Sequence, residues 1–592
     1  MEPTINKISL EHSQLYSRLL GAHLRRILKL VGLESREEAK SADSFCYLPS
    51  ASPTANKSPT GKLRSTSYSV KSYARNEPRI ELIKRGLERA LRMGEFRHNG
   101  SQLSVSGFRW RDLKDWASYG PMAPFDAIGA LSSQCNCDCE FCHAKTLMMP
   151  TLSRSQLSLS EAATRMKYFM PETGRGLPPT TRLPLEPFSN PFSIDILRLM
   201  REAAPGQLIT EETNGSFLNE DAVAQLAELK PVFLIISMNG ISTDVRQNRM
   251  RETDETATQT AIQSPELLQK YGIPFAISYV PWPNRGLEEI AEVVRFAEEV
   301  SAARARVCLP VTHRFAHPDP PFNREEYWEE ILQFVQELRP SASIPIGTTP
   351  TIYEWQTILP VICGTIKDSP GGRAGIRYGD TIMSIEGEQV ITRREARRML
   401  ADRAKSDAYS STQLVIERCD NLMDVEIQHS RPLTEEPYPY RELLPDVFPF
   451  GIEIPYGVGL SDAMTLQSIC EEHRGQRLLV LLPDIVSAQF RQAILLIADS
   501  VPVIDEVELY LWSVEPNFYG GGWLPARWWT VSDIVEAVNN WKEQAKKELD
   551  AVVIPAGAFS PGGRDVLGGT INDLEQQLDV ELCRISVSSV VT

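Results

Sequence analysis

Between about residues 121 and 313, short apolar runs alternate with stretches whose apolar residues recur at helical spacing. FDAIGALSS (125–133), RLPLEP (182–187), GQLITEET (206–213), VFLIISMNG (232–240), PFAISYVPW (274–282) and RVCLPVT (306–312) predict strands. Between them SEAATRMKYFM, SIDILRLMREA, NEDAVAQLAEL and LEEIAEVVRFAEEV predict helices. Such alternation predicts an α/β fold of parallel strands joined by right-handed crossovers, as a barrel or an open doubly wound sheet. Sites in these folds gather at the carboxyl ends of the strands. Residues 13–33 carry an amphipathic helical pattern, read as a helix docked on a core, with a membrane-surface helix as the other reading. Residues 49–76 are rich in Ser, Pro and Lys without an acidic side chain and predict a flexible linker, and a helical stretch follows near 78–93. The pattern divides the chain into an N-terminal helical segment (1–48), the linker (49–76), a helical lead-in (77–120) and the α/β core (121–325). A small, mostly-β domain (355–432) and a C-terminal α/β domain (440–592) follow.

With 592 residues the chain is long enough for roughly three to five domains, each burying its own core. A net charge of −15 opposes a phosphate backbone, so no nucleic-acid partner is expected. No apolar run approaches the roughly 20 residues of a membrane span, and the first residues lack the basic-then-apolar layout of a secretory signal. The expected location is the cytoplasm. In a reducing compartment, clustered cysteines point to metal binding or redox chemistry rather than to disulfides.

The cluster is SSQCNCDCEFCHAKT (132–146), placed just after the first predicted strand. Cys135, Cys139 and Cys142 have the spacing C-x3-C-x2-C, and Cys137 falls inside the first gap. Three thiolates so spaced can ligate three irons of a [4Fe–4S] cube and leave the fourth open. CNCDCEFC resembles the signature of the radical S-adenosylmethionine (radical SAM) superfamily, C-x3-C-x-aromatic-C, with Phe141 as the aromatic. The resemblance implies a partial (β/α)6 barrel, a TIM-like arrangement. It also implies a [4Fe–4S] cluster held by Cys135, Cys139 and Cys142, and S-adenosylmethionine chelated at the open iron and cleaved by one electron to a 5′-deoxyadenosyl radical. It further implies an electron donor such as a ferredoxin or flavodoxin.

Later segments extend the resemblance in order along the chain. PLEPFSNP (184–191) is similar to the family's Gly-Gly-Glu region without its glycines, which makes Glu186 the contact to the SAM amino group. TEETNGSFL is similar to the family's Thr-Asn-Gly and brings in Asn214 and Gly215. ISMNG followed by STDVRQNRMR resembles the Ser and downstream Arg that meet ribose and carboxylate, giving Ser237 and one of Arg246, Arg249 or Arg251. Phe141 is then expected near the adenine. Zinc bound by Cys135, Cys137, Cys139, Cys142 and His143, or an iron–sulfur centre that does not cleave SAM, are the competing readings. Either would make the protein a non-catalytic scaffold. Cys137 is read as a spare residue first and a ligand second.

SPGGRAGIRYGDTIMSIEGEQV, near 369–390, resembles the PDZ family. Gly375 and Gly379 are expected to permit turns, Ile382 and Ile385 to enter the core, Gly387 to close a hairpin and REARRML to form a helix. The resemblance implies capture of a partner peptide along a strand edge, or packing against the barrel. VEPNFYGGGWLPARWWTVSDIVEAV and the last 40 or so residues look similar to a bacterial domain of unknown function found in Fe–S oxidoreductase-like proteins; Asn517, Phe518, Tyr519 and Gly520 carry that resemblance. His313 and His317 either face the same barrel end or are ordinary loop histidines, and Trp282 either lines the cavity or makes a turn. Cys46, Cys308, Cys363, Cys419, Cys470 and Cys583 are expected as isolated thiols. The substrate is not legible.

Overall fold

The computed structural model describes residues 93–98, 101–106, 131–142 except 133, 156–166, 186–349 except 206–207 and 311–321, and 358–429 except 407–408. It also describes 448–498 except 456, 506–517, 526, 529–559, 565 and 569–585. The predicted helix at 13–33, the helical stretch expected near 78–93 apart from its last residue, the linker, His313, His317 and Phe518 to Gly520 lie outside these residues. Within the expected helical lead-in, the described part is instead an antiparallel hairpin of β1 (Met93–His98) and β2 (Ser101–Ser106). Asn99-Gly100 between them is a dipeptide that favours two-residue hairpin turns, a stronger local signal than the helical one before it.

A parallel sheet of five strands forms the first unit: β3 (Ile209–Thr213), β4 (Val232–Ser237), β5 (Phe275–Tyr279), β6 (Arg304–Cys308) and β7 (Ile346–Thr349). Their spatial order follows the chain, so every crossover winds the same way and all carboxyl ends share one side. β5 is buried along its whole length and β4 along all but its last residue, as expected of a parallel strand covered on both faces. The helices are α1 (Leu159–Met166), α2 (Ser193–Ala203), α3 (Glu220–Glu228), α4 (Thr243–Met250), α5 (Glu255–Lys270), α6 (Glu288–Glu299) and α7 (Arg324–Leu338). Thus the strands predicted from 206 onward and all four predicted helices are present. β7, α4, α5 and α7 lie outside the predicted set. The strand expected at 182–187 fails at its described end: Glu186 caps a 3-10 turn over Pro187–Ser189, because its carboxylate accepts the Phe188 amide and Pro187 starts the turn. At the end of the strand expected at 125–133, Ser132 makes only an isolated bridge to Gln156.

The second unit is a four-stranded antiparallel sheet in the order β10-β9-β11-β12, with β9 Thr381–Ile385, β10 Glu388–Gln389, β11 Ser411–Arg418 and β12 Asn421–Gln428. A short two-stranded sheet, β8 (Gly364–Thr365) with β13 (Ile452–Glu453), joins its ends. α8 is Pro370–Arg373, and α9 (Arg393–Lys405) packs on the sheet through Ala396 and Leu400. Gly375, Gly379 and Gly387 have φ of 78°, 84° and 78°, and Ile382 and Ile385 are buried, as the sequence predicts.

In the third unit β14 (Arg477–Leu482), β15 (Glu508–Ser513), β16 (Ala551–Pro555) and β17 (Glu581–Ile585) form a parallel sheet in the order β15-β14-β16-β17. α10 (Leu460–Glu472), α11 (Asp484–Ala498), α12 (Val531–Ala545) and α13 (Ile571–Leu578) cover it. Reversal of direction after β15 makes this sheet doubly wound, unlike the first. First and second units meet through buried Arg304 and Glu453, paired at 2.6 Å, with the guanidinium 5.0 Å from the centre of the Phe448 ring. A Cβ at Gly347 would sit 1.7 Å from Arg304 Nη2 and 2.1 Å from Glu453 Oε1, so a side chain there would displace the pair. Among the described residues no helix is long and apolar enough to cross a membrane.

Candidate active site at the carboxyl ends of the first sheet

The cysteine loop is held by the end of α4. The last carbonyls of a helix have no partner within it, and here the Met250 carbonyl accepts the Asp138 amide at 2.8 Å and the Arg249 carbonyl accepts the Glu140 amide at 3.1 Å. Arg251, at φ 48°, ends the helix in a left-handed turn, and its exposed side chain lies 3.7 Å from Asp138. The Cys142 amide then donates to the Cys139 carbonyl at 3.2 Å.

Cys135, Cys139 and Cys142 are part-buried, whereas Cys137 is 2 % exposed. The side-chain Nδ2 of Asn214, at the carboxyl end of β3, donates to Asn136 Oδ1 at 2.7 Å and to Cys137 Sγ at 3.3 Å, with Cys135 Sγ at 3.8 Å. The hydrogen bond between the Cys135 and Cys137 side chains, followed by burial, pushes the Cys135 thiol far up. At Cys137 the bond with Cys135 lowers the value, but the bond with Cys139 and burial outweigh it, so this thiol also rises. Cys139 is bonded to Cys137 in turn, so three sulfurs converge within one short loop. Metal binding displaces the protons that Cys135 and Cys137 otherwise hold, and cysteines gathered on one loop are a donor set that fits a thiolate-bound metal cluster.

Glu186 is 2 % exposed beside the loop. Its Oε1 accepts from Thr213 Oγ1 at 2.6 Å and from the Phe188 amide at 3.1 Å, and its Oε2 accepts the Asn214 amide at 2.7 Å. Burial raises its pKa to about 7, against the lowering effect of these donors. The Glu186 amide donates to the Gln134 carbonyl at 3.0 Å, tying the turn to the start of the cysteine loop. Asn190 fastens the same turn by donating to the Leu131 and Leu157 carbonyls, both at 2.8 Å.

Beneath the loop, α4 carries two fully buried arginines. Arg246 donates to Glu252 Oε2 at 2.9 Å and to the Asn214 and Ser237 carbonyls at 2.7 and 3.3 Å. Glu252 also accepts from Asn136 at 2.7 Å, from Thr258 at 3.1 Å and from Ser216. Arg249 donates to Tyr279 Oη at 2.9 Å, Glu289 at 2.8 Å and the Val280 carbonyl at 2.7 Å. Its guanidinium lies 5.6 Å from the centre of the Phe141 ring and 4.9 Å from that of Tyr279. Trp282, 3 % exposed, continues this aromatic wall 6.4 Å from Phe141 and 5.7 Å from Phe322.

The structure thus gathers Cys135, Cys139, Cys142, Phe141, Glu186, Asn214, Gly215 (φ 82°) and Ser237 at one end of the sheet. Of the three candidate arginines, Arg246 and Arg249 are buried beneath the loop and Arg251 is on the surface. Asn136, Thr213, Glu252 and Tyr279 complete the network without having been legible in the sequence. Glu252, 2 % exposed, sits in the polar run RMRETDET, where pattern gives a surface residue.

Residues 131–297 match the model of the Radical SAM superfamily. No curated protein matches the chain in sequence. Among solved structures, SuiB of Streptococcus suis bound to precursor peptide SuiA is similar at 16 % identity and a TM-score of 0.30, over 47 % of this chain and 62 % of that one. The anSMEcpe protein with bound AdoMet and a peptide is 16 % identical at a TM-score of 0.26, over 36 % of this chain and 57 % of that one. Methylornithine synthase (PylB) is 14 % identical at a TM-score of 0.28, over 37 % and 63 %. This chain therefore spans less than two thirds of the length of each.

Proposed function

From the radical SAM domain over residues 131–297, we propose that this protein is a radical SAM enzyme that binds S-adenosylmethionine beside a [4Fe–4S] cluster held by Cys135, Cys139 and Cys142. When bound, the cluster supplies the single electron that cleaves SAM and starts radical chemistry on a substrate. The observation that carries this reading is the gathering of four cysteines on one loop docked at the carboxyl ends of a parallel sheet.

The chain's own residues position and shield. Glu186, ionised above about pH 7, offers its Oε2 to the SAM ammonium while Thr213 and the Phe188 and Asn214 amides fix its orientation. Asn214 and Gly215 present backbone at the end of β3, Ser237 offers a hydroxyl at the end of β4, and Arg251 offers a guanidinium at the rim. Phe141, backed by Arg249 and Trp282, forms an apolar face for the adenine and excludes water. We read β3 to β7 as part of a partial (β/α)6 barrel and residues 355–432 as a PDZ-like unit whose β8 pairs with β13, which is fixed to the barrel through Glu453 and Arg304. That contact favours an architectural role over recruitment of a partner. An external donor such as a ferredoxin or flavodoxin supplies the electron.

The test is anaerobic iron–sulfur reconstitution, followed by electron paramagnetic resonance of the dithionite-reduced protein with and without SAM. A reduced-cluster signal that shifts on adding SAM, with 5′-deoxyadenosine formed, is the expected result; Cys→Ala at 135, 139 or 142 abolishes both. A second reading, a zinc or inert iron–sulfur scaffold using Cys137 as a further ligand, is favoured by the burial of that thiol. Zinc in place of iron, or a cluster indifferent to SAM, would establish it.

A further inference from the structure

Far from the cysteine loop in sequence, the third unit brings together three side chains of metal-ligating type. His473 follows α10, while Glu581 and Cys583 project from β17 at positions two apart and therefore on one face of the strand. His473 Nε2 lies 3.4 Å from Glu581 Oε2 and 3.6 Å from Cys583 Sγ, and the three donor atoms all lie within 4.8 Å of one another.

The chemistry of the histidine decides what this arrangement suits. Its Nδ1 meets the Ile469 carbonyl at 2.7 Å, and a carbonyl only accepts, so Nδ1 carries the proton. In the neutral tautomer Nε2 therefore presents a lone pair, and it faces a carboxylate oxygen that also presents lone pairs. Two such acceptors at 3.4 Å are held together by a cation between them, either a second imidazole proton or a metal ion. A backbone carbonyl on the remote nitrogen is also the usual way in which a ligating histidine is oriented. A nucleophilic Cys-His-acid arrangement would need the carboxylate on Nδ1, whereas here carboxylate and thiol converge on the same Nε2.

We propose that His473 Nε2, Glu581 Oε and Cys583 Sγ form a binding site for a divalent transition-metal cation, with Zn2+ as the best match to a mixed nitrogen, oxygen and sulfur donor set. Binding displaces the Cys583 thiol proton to solvent and leaves one tetrahedral position open, on the side of exposed Glu581. The site lies where β17 begins, at the amino-terminal side of its sheet, so the ion staples an outer strand to the end of α10.

The experiment uses the full chain with its iron–sulfur cluster installed, equilibrated with Zn2+, freed of excess metal and examined by zinc-edge X-ray absorption. The expected result is about one zinc per chain with a single sulfur and nitrogen or oxygen neighbours. Cys583→Ala removes the sulfur from that shell, His473→Gln loses the zinc, and Glu581→Gln, at an exposed side chain, weakens retention while leaving the circular dichroism unchanged. The sulfur count needs no variant, so misfolding of one does not blunt the test. Failure to retain zinc, a shell unaltered by Cys583→Ala, or a sulfur-only shell that assigns the ion to the 135–142 loop would overturn the proposal.

Discussion

Two parallel sheets in this chain come from the same alternation of apolar runs and amphipathic helices, yet they invest their interiors differently. The first winds in one direction and fills the space beyond its carboxyl ends with buried charge: Glu186, Arg246, Arg249 and Glu252. The second reverses direction, is apolar through β14 and β16, and keeps buried Asp533 and Asp565 for capping and turn duties. Charge is expensive to bury unless each group is paired and hydrogen-bonded. The four charged side chains beside the cysteine loop therefore set that end of the first sheet apart from the apolar interior of the other.

The contrast predicts different tolerance to change. Arg246→Ala strands Glu252 and is expected to cost about 4 kcal/mol, read by denaturant unfolding. Arg246→Lys should recover little, since one ammonium cannot replace donors spread over Glu252, Asn214 and Ser237. Leu481→Ala, in the apolar interior of β14, is expected to cost about 3 kcal/mol, whereas Leu481→Met should cost under about 1.5 kcal/mol. Equal tolerance of Arg246→Lys and Leu481→Met would dissolve the distinction.

Glu186 sharpens it through pH. Its folded value of about 7 lies above the 4.5 usual for a glutamate, chiefly through burial, so the folded state holds the proton more tightly than the unfolded state. Its contribution to stability is complete below about 4.5 and declines as pH rises to about 7, by about 3 kcal/mol in all. SAM affinity, measured by calorimetry on the reconstituted protein, should run the opposite way. It rises about tenfold per pH unit up to about 7 and then levels off, and Glu186→Gln removes the slope. The smallest effects should not separate the sheets at all. Asn219→Ala and Thr530→Ala each delete a helix cap, one per unit, and each should cost about 1 kcal/mol in thermal or chemical unfolding.

Strands and helices with an apolar face were legible because burial of hydrophobic surface is what pattern records. α4 was not, since TDVRQNRM reads as a solvated stretch while its arginines are wholly buried by partners distant in sequence. The short β7, IGTT, carries too few apolar residues to stand out. At the site, the cysteines stood out by their spacing and Glu186 by the resemblance of PLEPFSNP to a family segment. Asn136, Thr213 and Tyr279 were not, because their roles arise from contacts between strand ends. The cluster at His473 and Cys583 joins residues 110 positions apart, a separation over which no local pattern operates.

The pairing of Arg304 with Glu453 bears on how the molecule can be dissected. A fragment ending after β7 would leave a guanidinium, now 2 % exposed, opposite a vacated cradle beside Gly347, and a fragment starting near 358 would carry the orphaned carboxylate. Neither piece would be a faithful miniature. Expression trials should keep residues 304 and 453 on the same polypeptide, and sequences that change one are expected to change the other.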